Sequence, residues 1–314
     1  MLKYNKLLNS VYPSFFGEFL KLRVVNTSFH KFHLFSLYQN QIKMKIALIQ
    51  QKAGPDKIKN LEKGVMAIEE ASRQETQLAV FAELAFEPFY PQKVAGPDKN
   101  QLAESLSGPI ISTMRKLAQK HNMVIVPNFF ELDGENTYDS SPVIDADGKI
   151  LGITRMVHVP DYEYFHEKTY YTPGDQGVKV YDTAIGKIGV AICYDRHYPE
   201  YMRALAVAGA ELVVTPQAGA EGEWTDGLYE AEMQIAAFQN GYFTALCNRI
   251  GEEDNLRFSG ESFVCGPNGR LIAQAGSGTE ENLYCDIDLS EVQHSHARKL
   301  FLPDRRPGLY KDWM

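Results

Sequence analysis

The sequence has little cysteine, a deficit of positive charge and no long hydrophobic run. Four cysteines in 314 residues are too few for a disulfide scaffold, and none forms the close Cys-x-x-Cys pair of a zinc site. That usage suits a reducing, cytoplasmic setting, and no metal or other cofactor is expected. The net charge of −8 argues against a general nucleic-acid binder, which presents a basic surface. No stretch approaches the ~20 apolar residues of a membrane-spanning helix, so no membrane partner is expected. Glycine and proline are scattered without a repeat, which excludes collagen-like and low-complexity chains. What is present is an ordinary globular balance: 44% hydrophobic and 23% charged residues, enough apolar material to offset chain entropy.

Charge is unevenly spread. Residues 1–43 carry Lys3, Lys6, Lys21, Arg23, Lys31 and Lys43 against the single acid Glu18. This basic segment has no clear period. Three readings stay open: a targeting peptide, a partner-binding arm, or upstream sequence translated from an early start codon. The third is preferred, because Met44 opens MKIALIQQKAG, a natural first strand. The expected organisation is a basic N-terminal extension over 1–43 and one domain over 44–314. The domain includes a polar tail, 293–314, expected to be solvated or packed on a neighbour.

From Met44 onward, strand-like and helix-like segments alternate. Lys45–Gln50 and Leu78–Glu83 are short, mostly apolar runs. Between them Ile58, Leu61, Val65 and Ile68 fall at the spacing of one helical face over Asp56–Arg73. A helix is predicted over Gln101–His121 and a strand over Met123–Pro127. Ser141–Asp145 and Lys149–Arg155 form a hairpin around Asp147-Gly148. Val178–Thr183 and Lys187–Cys193 read as a strand pair. A helix over Pro199–Gly209 places its proline where a missing N–H costs nothing. Further strands are predicted at Glu211–Thr215, Tyr242–Asn248, Ser262–Gly266 and Leu271–Ala275. Leu228–Asn240 reads as a helix with Gly241 just past its end. Hairpins interrupt the strand–helix alternation, so a layered α/β fold with a mixed sheet fits better than a pure Rossmann pattern.

One segment carries chemistry on its own terms. In Lys187–Glu200, KIGVAICYDRHYPE, a strand ends at Cys193, a polar turn follows, and a helix begins near Pro199. A thiol there lies beside backbone N–H groups able to meet an oxyanion. The alternative is a buried cysteine acting as a small hydrophobe, which suits Cys247, Cys265 and Cys285 better. Glu83 closes one strand and Glu167 sits in the loop FHEKTYYTPGD; spacing alone leaves both as ordinary solvated acids.

Six ordered blocks give these residues a context: MKIALIQ at 44–50, LAVFAELAFEPFYP at 78–91, TRMVHVPDY and HEKTYYTPGD within 154–175, GKIGVAICYDRHYPE at 186–200, GAELVVTPQAG at 209–219, and FSGESFVCGPNGRLIA at 258–273. With DRRPGLY at 304–310 they resemble the nitrilase superfamily of carbon–nitrogen hydrolases over nearly all of 44–314. The resemblance implies a four-layer α-β-β-α sandwich with mixed sheets, assembled as a homodimer or larger homo-oligomer. It also implies a Glu-Lys-Cys catalytic set with a second glutamate. The nucleophile falls on Cys193, the base on Glu83, the second glutamate on Glu167, and an oxyanion donor on the backbone N–H of Tyr194. Cys193 would attack an amide-like carbon, expel ammonia or an amine, and leave a thioester for water to resolve.

One position departs from the pattern. The family's lysine follows an arginine in Arg-Lys-x-His, and here the stretch is Arg155-Met156-Val157-His158. Methionine has neither charge nor N–H, and losing one oxyanion donor costs ~3–4 kcal/mol. Lys168 is expected to substitute in preference to Arg155. A weakened or non-catalytic binding member is the rival reading.

Arg196 follows the nucleophile as in N-carbamoyl-amino-acid hydrolases and β-ureidopropionases, where an arginine grips a substrate carboxylate. Tyr171 is expected to wall the pocket. The expected activity is therefore hydrolysis of an N-carbamoyl amino acid resembling N-carbamoyl-β-alanine. An ω-amidase or aliphatic amidase is the alternative.

Overall fold

The computed structural model describes residues 43–313. The expected extension over 1–43 therefore lies outside the described residues, apart from Lys43, which already belongs to the first strand.

Two sheets dominate. One is built from β1 (Lys43–Gln50), β2 (Leu78–Phe81), β3 (Val124–Val126), β4 (Phe129–Asp133), β5 (Asn136–Ile144), β6 (Ile150–Arg155) and β15 (Glu281–Asp288). The other runs in the order β14 (Leu271–Gln274), β13 (Phe263–Cys265), β10 (Phe243–Asn248), β9 (Leu212–Gln217), β8 (Gly186–Val190), β7 (Val180–Thr183). A separate hairpin joins β11 (Ile250–Glu253) to β12 (Leu256–Ser259). In each large sheet the centre is parallel, β1-β2-β3 in one and β8-β9-β10 in the other, and antiparallel strands flank it.

Alternation along the strands explains the layering, because successive side chains point to opposite faces. Ile46, Leu48, Leu78, Val80, Val124 and Val126 pack in a central core with Ile188, Val190, Leu212 and Val214 of the other sheet. Their neighbours Ala47, Ile49, Ala79, Phe81 and Ile125 meet helices α1 (Lys57–Arg73) and α2 (Pro109–His121). Val213, Leu246, Phe263 and Cys265 meet α3 (Pro199–Val207) and α4 (Leu228–Asn240). Parallel strands covered on both faces read as continuous apolar runs. The result is a four-layer α-β-β-α sandwich.

Several predicted boundaries shift for local reasons. Asp56 is the N-cap of α1, its carboxylate accepting from Ile58 and Lys59 N–H, so it stands outside the helix. The buried face of α1 is Asn60, Gly64, Ile68 and Ala71, and Ile58 is exposed. Gly64 lies so close to the Phe86 ring that a Cβ would meet it at 2.6 Å. The helix predicted from Gln101 begins instead at Pro109, where the Glu104 carboxylate caps the Ile110 N–H. Residues 99–101 form only a single turn. The strand predicted to run to Cys193 stops at Val190. α4 and its left-handed Gly241 lie where predicted. The tail is more structured than expected. Ser290–His294 and Pro307–Tyr310 are helical, and Arg298 donates to the carbonyls of Gly241, Ala206 and Ala210.

Candidate active site

The parallel strands of both sheets deliver their C-terminal ends to one place, the usual position for a site in an α/β fold. β2 runs on to Glu83, β8 runs on to Cys193, and β9 ends at Gln217. Glu83 N–H donates to the Gln217 carbonyl, which joins the two sheets there. Cys193 opens a 3-10 turn, Cys193–His197, with φ of 41°. A left-handed non-glycine residue costs about 1–3 kcal/mol and persists only when its surroundings fix it. Arg196 does so, donating from Nη1 to the Cys193 carbonyl at 2.8 Å. Tyr194 is second in this turn. Its N–H therefore precedes the first i→i−3 bond, which runs from Asp195 N–H to the Ile192 carbonyl.

Glu83 is fixed from three sides. Arg249, fully buried, donates Nη1 to the carbonyls of Glu83 and Leu84 and Nη2 to that of Glu87, and it pairs with Glu253. The Asn128 side chain accepts from Leu84 N–H at 2.8 Å and donates to the Asp139 carboxyl at 2.5 Å. Asp139 stands on β5 beside the Glu83 carboxyl, and the Cys193 thiol lies beside the same carboxyl. Two neighbouring buried carboxyls resist being charged together, which favours a proton on one of them.

The site is buried and acidic. Glu83 and Glu167 are 0% exposed, Asp139 is 1% and Cys193 is 6%. Burial, then the charge of Glu167, pushes the Glu83 carboxyl up to about 8. Burial also lifts Asp139 and Glu167 well above the usual carboxylate range, reinforced by the charge of Glu83 on Asp139 and of Asp139 on Glu167. The Cys193 thiol is raised well above its ordinary value by burial and by Glu83 and Glu167, and Arg196 offsets this in part. The thiol is therefore protonated at neutral pH. A sulfur attacking from this position would have to give its proton to a base, and the Glu83 carboxyl lies beside it.

Met156 is 1% exposed and belongs to the central core with Cys193, Tyr170 and Tyr171. Its N–H donates to the Asp139 carbonyl, which puts the residue beside the acidic cluster. Neither neighbouring cation substitutes for the missing lysine. Arg155 is committed elsewhere, held by Glu131 at 2.8 Å and Asp133 at 2.6 Å and stacked on Tyr138. The expectation that Lys168 fills the role is corrected by the structure: its side chain is exposed. Among the described residues its ammonium pairs with none of Cys193, Glu83 and Glu167. The 3-10 turn Glu167–Thr169 explains this, since it sends Glu167 inward and its neighbour Lys168 outward.

Tyr171 is buried with its hydroxyl unpartnered, and the charges of Asp139, Glu167 and Glu83 all raise it, so it faces the cluster. Arg196 lies beneath Cys193, bonded to the Cys193 carbonyl and Gln217, paired with Glu232 at 3.3 Å and lying over Tyr229. Its Nη2 has no protein acceptor. Sequence reasoning missed several neighbours. Asp139, Asn128 and Arg249 surround Glu83. Glu223 accepts from the hydroxyls of Tyr162 and Tyr229, each at 2.5 Å, and its charge also acts on Cys193. Asp195 accepts from the N–H of Val157 and His158 and from His158 Nδ1 at 2.7 Å, tying the Met156 loop to the Cys193 turn. Among the described residues, no group of three or more His, Cys, Asp or Glu side chains is placed to hold a metal ion.

Comparison with known proteins identifies the family and the fold. The model of the family described as "Carbon-nitrogen hydrolase" matches residues 45–297. A citrullinase of Francisella tularensis is 33% identical over 279 residues, covering 86% of this chain and 97% of that protein. An N-carbamoylputrescine amidase of Solanum lycopersicum is 35% identical over 280 residues, 85% of this chain and 93% of that protein. The crystal structure of a carbon-nitrogen hydrolase from Helicobacter pylori superposes with a TM-score of 0.81 at 30% identity, covering 86% of this chain and 98% of that one. A family model spanning most of the described chain, full-length relatives and a matching fold agree: the protein belongs to the carbon–nitrogen hydrolase family, within the nitrilase superfamily.

Proposed function

We propose that the protein is a thiol-dependent hydrolase of non-peptide C–N bonds, acting on an N-carbamoyl amino acid. The observation that carries this reading is the buried Cys193 thiol beside the buried Glu83 carboxyl, whose charge acts on it. Glu83 takes the thiol proton as sulfur attacks the carbamoyl carbon. The Tyr194 N–H stabilises the oxyanion, and Glu83 returns the proton to the leaving ammonia. Glu167 orients the water or leaving group, and water then resolves the thioester. Arg196, with its free Nη2, receives the substrate carboxylate, and Tyr171 walls the pocket. The names of both relatives, a citrullinase and an N-carbamoylputrescine amidase, point to ureido compounds and support a carbamoyl group at the thiol.

The domain boundary at Met44, cofactor independence, a homodimeric state and a cytoplasmic location belong to the same proposal. A second reading, a weakened or binding-only member, is favoured by Met156 specifically. Ammonia release from a panel of N-carbamoyl acids, ω-amides and nitriles decides between them, with Cys193→Ala alongside. The proposal expects N-carbamoyl acids to be turned over and the alanine variant to lose a factor on the order of 10³ or more. Turnover of ω-amides alone would move the protein to another amidase class. No turnover from folded protein would leave the binding-only reading.

A further inference from the structure

Five carboxyl oxygens converge near Cys193 without a protein partner: both of Glu83, both of Glu167 and Oδ2 of Asp139. The buried Tyr171 hydroxyl facing them is also unpartnered. Arg196 and Arg249 are the cations whose charge reaches Cys193 and Glu83, and both are held by carbonyls and carboxylates of their own. Met156 supplies neither charge nor N–H where the family pattern has lysine. The unmet demand is therefore for a cation rich in N–H donors.

We propose that this site binds a planar guanidinium or amidinium group and hydrolyses it, converting a guanidino compound to a ureide and ammonia. A monosubstituted guanidinium carries five N–H donors in one plane, the complement of a carboxylate cage. This activity uses the same thiol and base as the ureide reading but stands apart from it in substrate.

The missing lysine stops being a defect for such a substrate. Attack on a ureido carbonyl creates an oxyanion that lacks one donor here, a loss of about 10²–10³ in rate. Attack on a guanidinium carbon creates none. Glu83 takes the thiol proton, the S–C bond forms, and the positive charge is cancelled to give a neutral triamino adduct. Glu83 then protonates one amino group, which leaves as ammonia when its C–N bond breaks, and an S-bound isothiouronium cation remains. Water attacks that carbon, giving a proton to Glu83. The C–S bond breaks, the hydroxyl proton passes to sulfur, and a ureide is released while Glu83 hands its proton to ammonia. Guanidinium and water have become ureide and ammonium, with no oxidant, reductant or further reactant. A lysine ammonium at position 156 would oppose the incoming cation at close range.

Isosteric pairs test this directly: 3-guanidinopropionate against N-carbamoyl-β-alanine, arginine against citrulline, and agmatine against N-carbamoylputrescine. Ammonia and ureide formation are measured together with wild-type protein. The expected result is turnover of at least one guanidino compound roughly tenfold or more above its ureido partner, lost in Cys193→Ala, and reversed in preference by Met156→Lys. Calorimetry of the Cys193→Ala protein in buffers of different ionisation enthalpy adds a readout free of turnover. Guanidino ligands should release protons from the carboxyl cluster, and ureido ligands should not. Asp139→Asn should weaken the guanidino ligand alone. Ureide hydrolysis with no guanidino turnover or binding overturns this proposal and leaves the carbamoyl reading standing. Guanidino turnover with no ureide hydrolysis does the reverse. Inactivity with both, together with no guanidino binding, overturns both.

Discussion

Arg155 and Met156 are chain neighbours at the end of β6, and each lies near its own set of acids. On one side Glu131 and Asp133 close around the Arg155 guanidinium, with Ser140 adding a hydrogen bond to Glu131. On the other, Met156 lies beside Asp139, whose carbonyl accepts from its N–H, and among the described residues no cation forms an ion pair with Glu83, Asp139 or Glu167. In the first set Glu131 is buried and Asp133 is exposed, whereas Glu83, Asp139 and Glu167 are all buried. The first has its counter-ion, and the pairing keeps Arg155 charged above its already high ordinary value. The second lacks one, and burial followed by mutual repulsion makes its carboxyls hold protons to higher pH. A buried acid with a partner is a brace. A buried acid without one is a store of protons and of unmet hydrogen bonds.

Four experiments break or sharpen this contrast. The largest effect is expected from Arg155→Met, which makes the first set resemble the second. Removing one partner of a buried ion pair should cost about 3–5 kcal/mol in urea unfolding, and a loss under 1 kcal/mol would show that Glu131 needs no counter-ion. Next comes Met156→Lys, which makes the second set resemble the first. Ureide hydrolysis, read as ammonia release, should rise by ~10²–10³, and an unchanged rate would remove the missing donor from the argument.

A smaller effect concerns pH. Glu83 titrates at about 8 in the folded protein against an ordinary 4.5, so the folded state holds its proton more tightly than the unfolded chain. Its contribution to stability is fully present below about pH 4.5 and is lost as pH rises through about 8. The urea midpoint should therefore fall across that interval, and Glu83→Gln should flatten the fall. A wild-type midpoint rising over the same range would contradict the assignment. The smallest effect belongs to Lys168→Ala, where stability should stay within ~0.5 kcal/mol and turnover within about twofold.

The layered fold and most of its strands were legible because doubly covered strands such as Leu78–Phe81 are continuous apolar runs. β15 was not, since ENLYCDID mixes charge with apolar residues and lies at a sheet edge, where only β1 pairs with it. Of the candidate site, Cys193 had a local signal at a strand-to-helix turn, and Glu83 and Glu167 rested on the family resemblance. Asp139 had no signal. Nothing within YDSSPVID separates a buried aspartate from a strand-edge one, and its role arises only when β5 is laid beside the end of β2. Lys168 misled for a related reason, because adjacency in sequence says nothing about which way a single turn points. Arg249 looked like an ordinary basic residue beside a strand, and only folding reveals its carbonyl partners.

Those partners carry a consequence for timing. The Arg249 guanidinium clasps the carbonyls of Glu83, Leu84 and Glu87, the Asn128 side chain accepts from Leu84 N–H, and the Gln217 carbonyl of β9 accepts from Glu83 N–H. A carboxyl secured in this way is fixed before any ligand arrives. In the proposed reaction, the reorganisation that a loop-borne carboxylate would undergo is completed in folding, and each encounter with substrate would begin with Glu83 already in position.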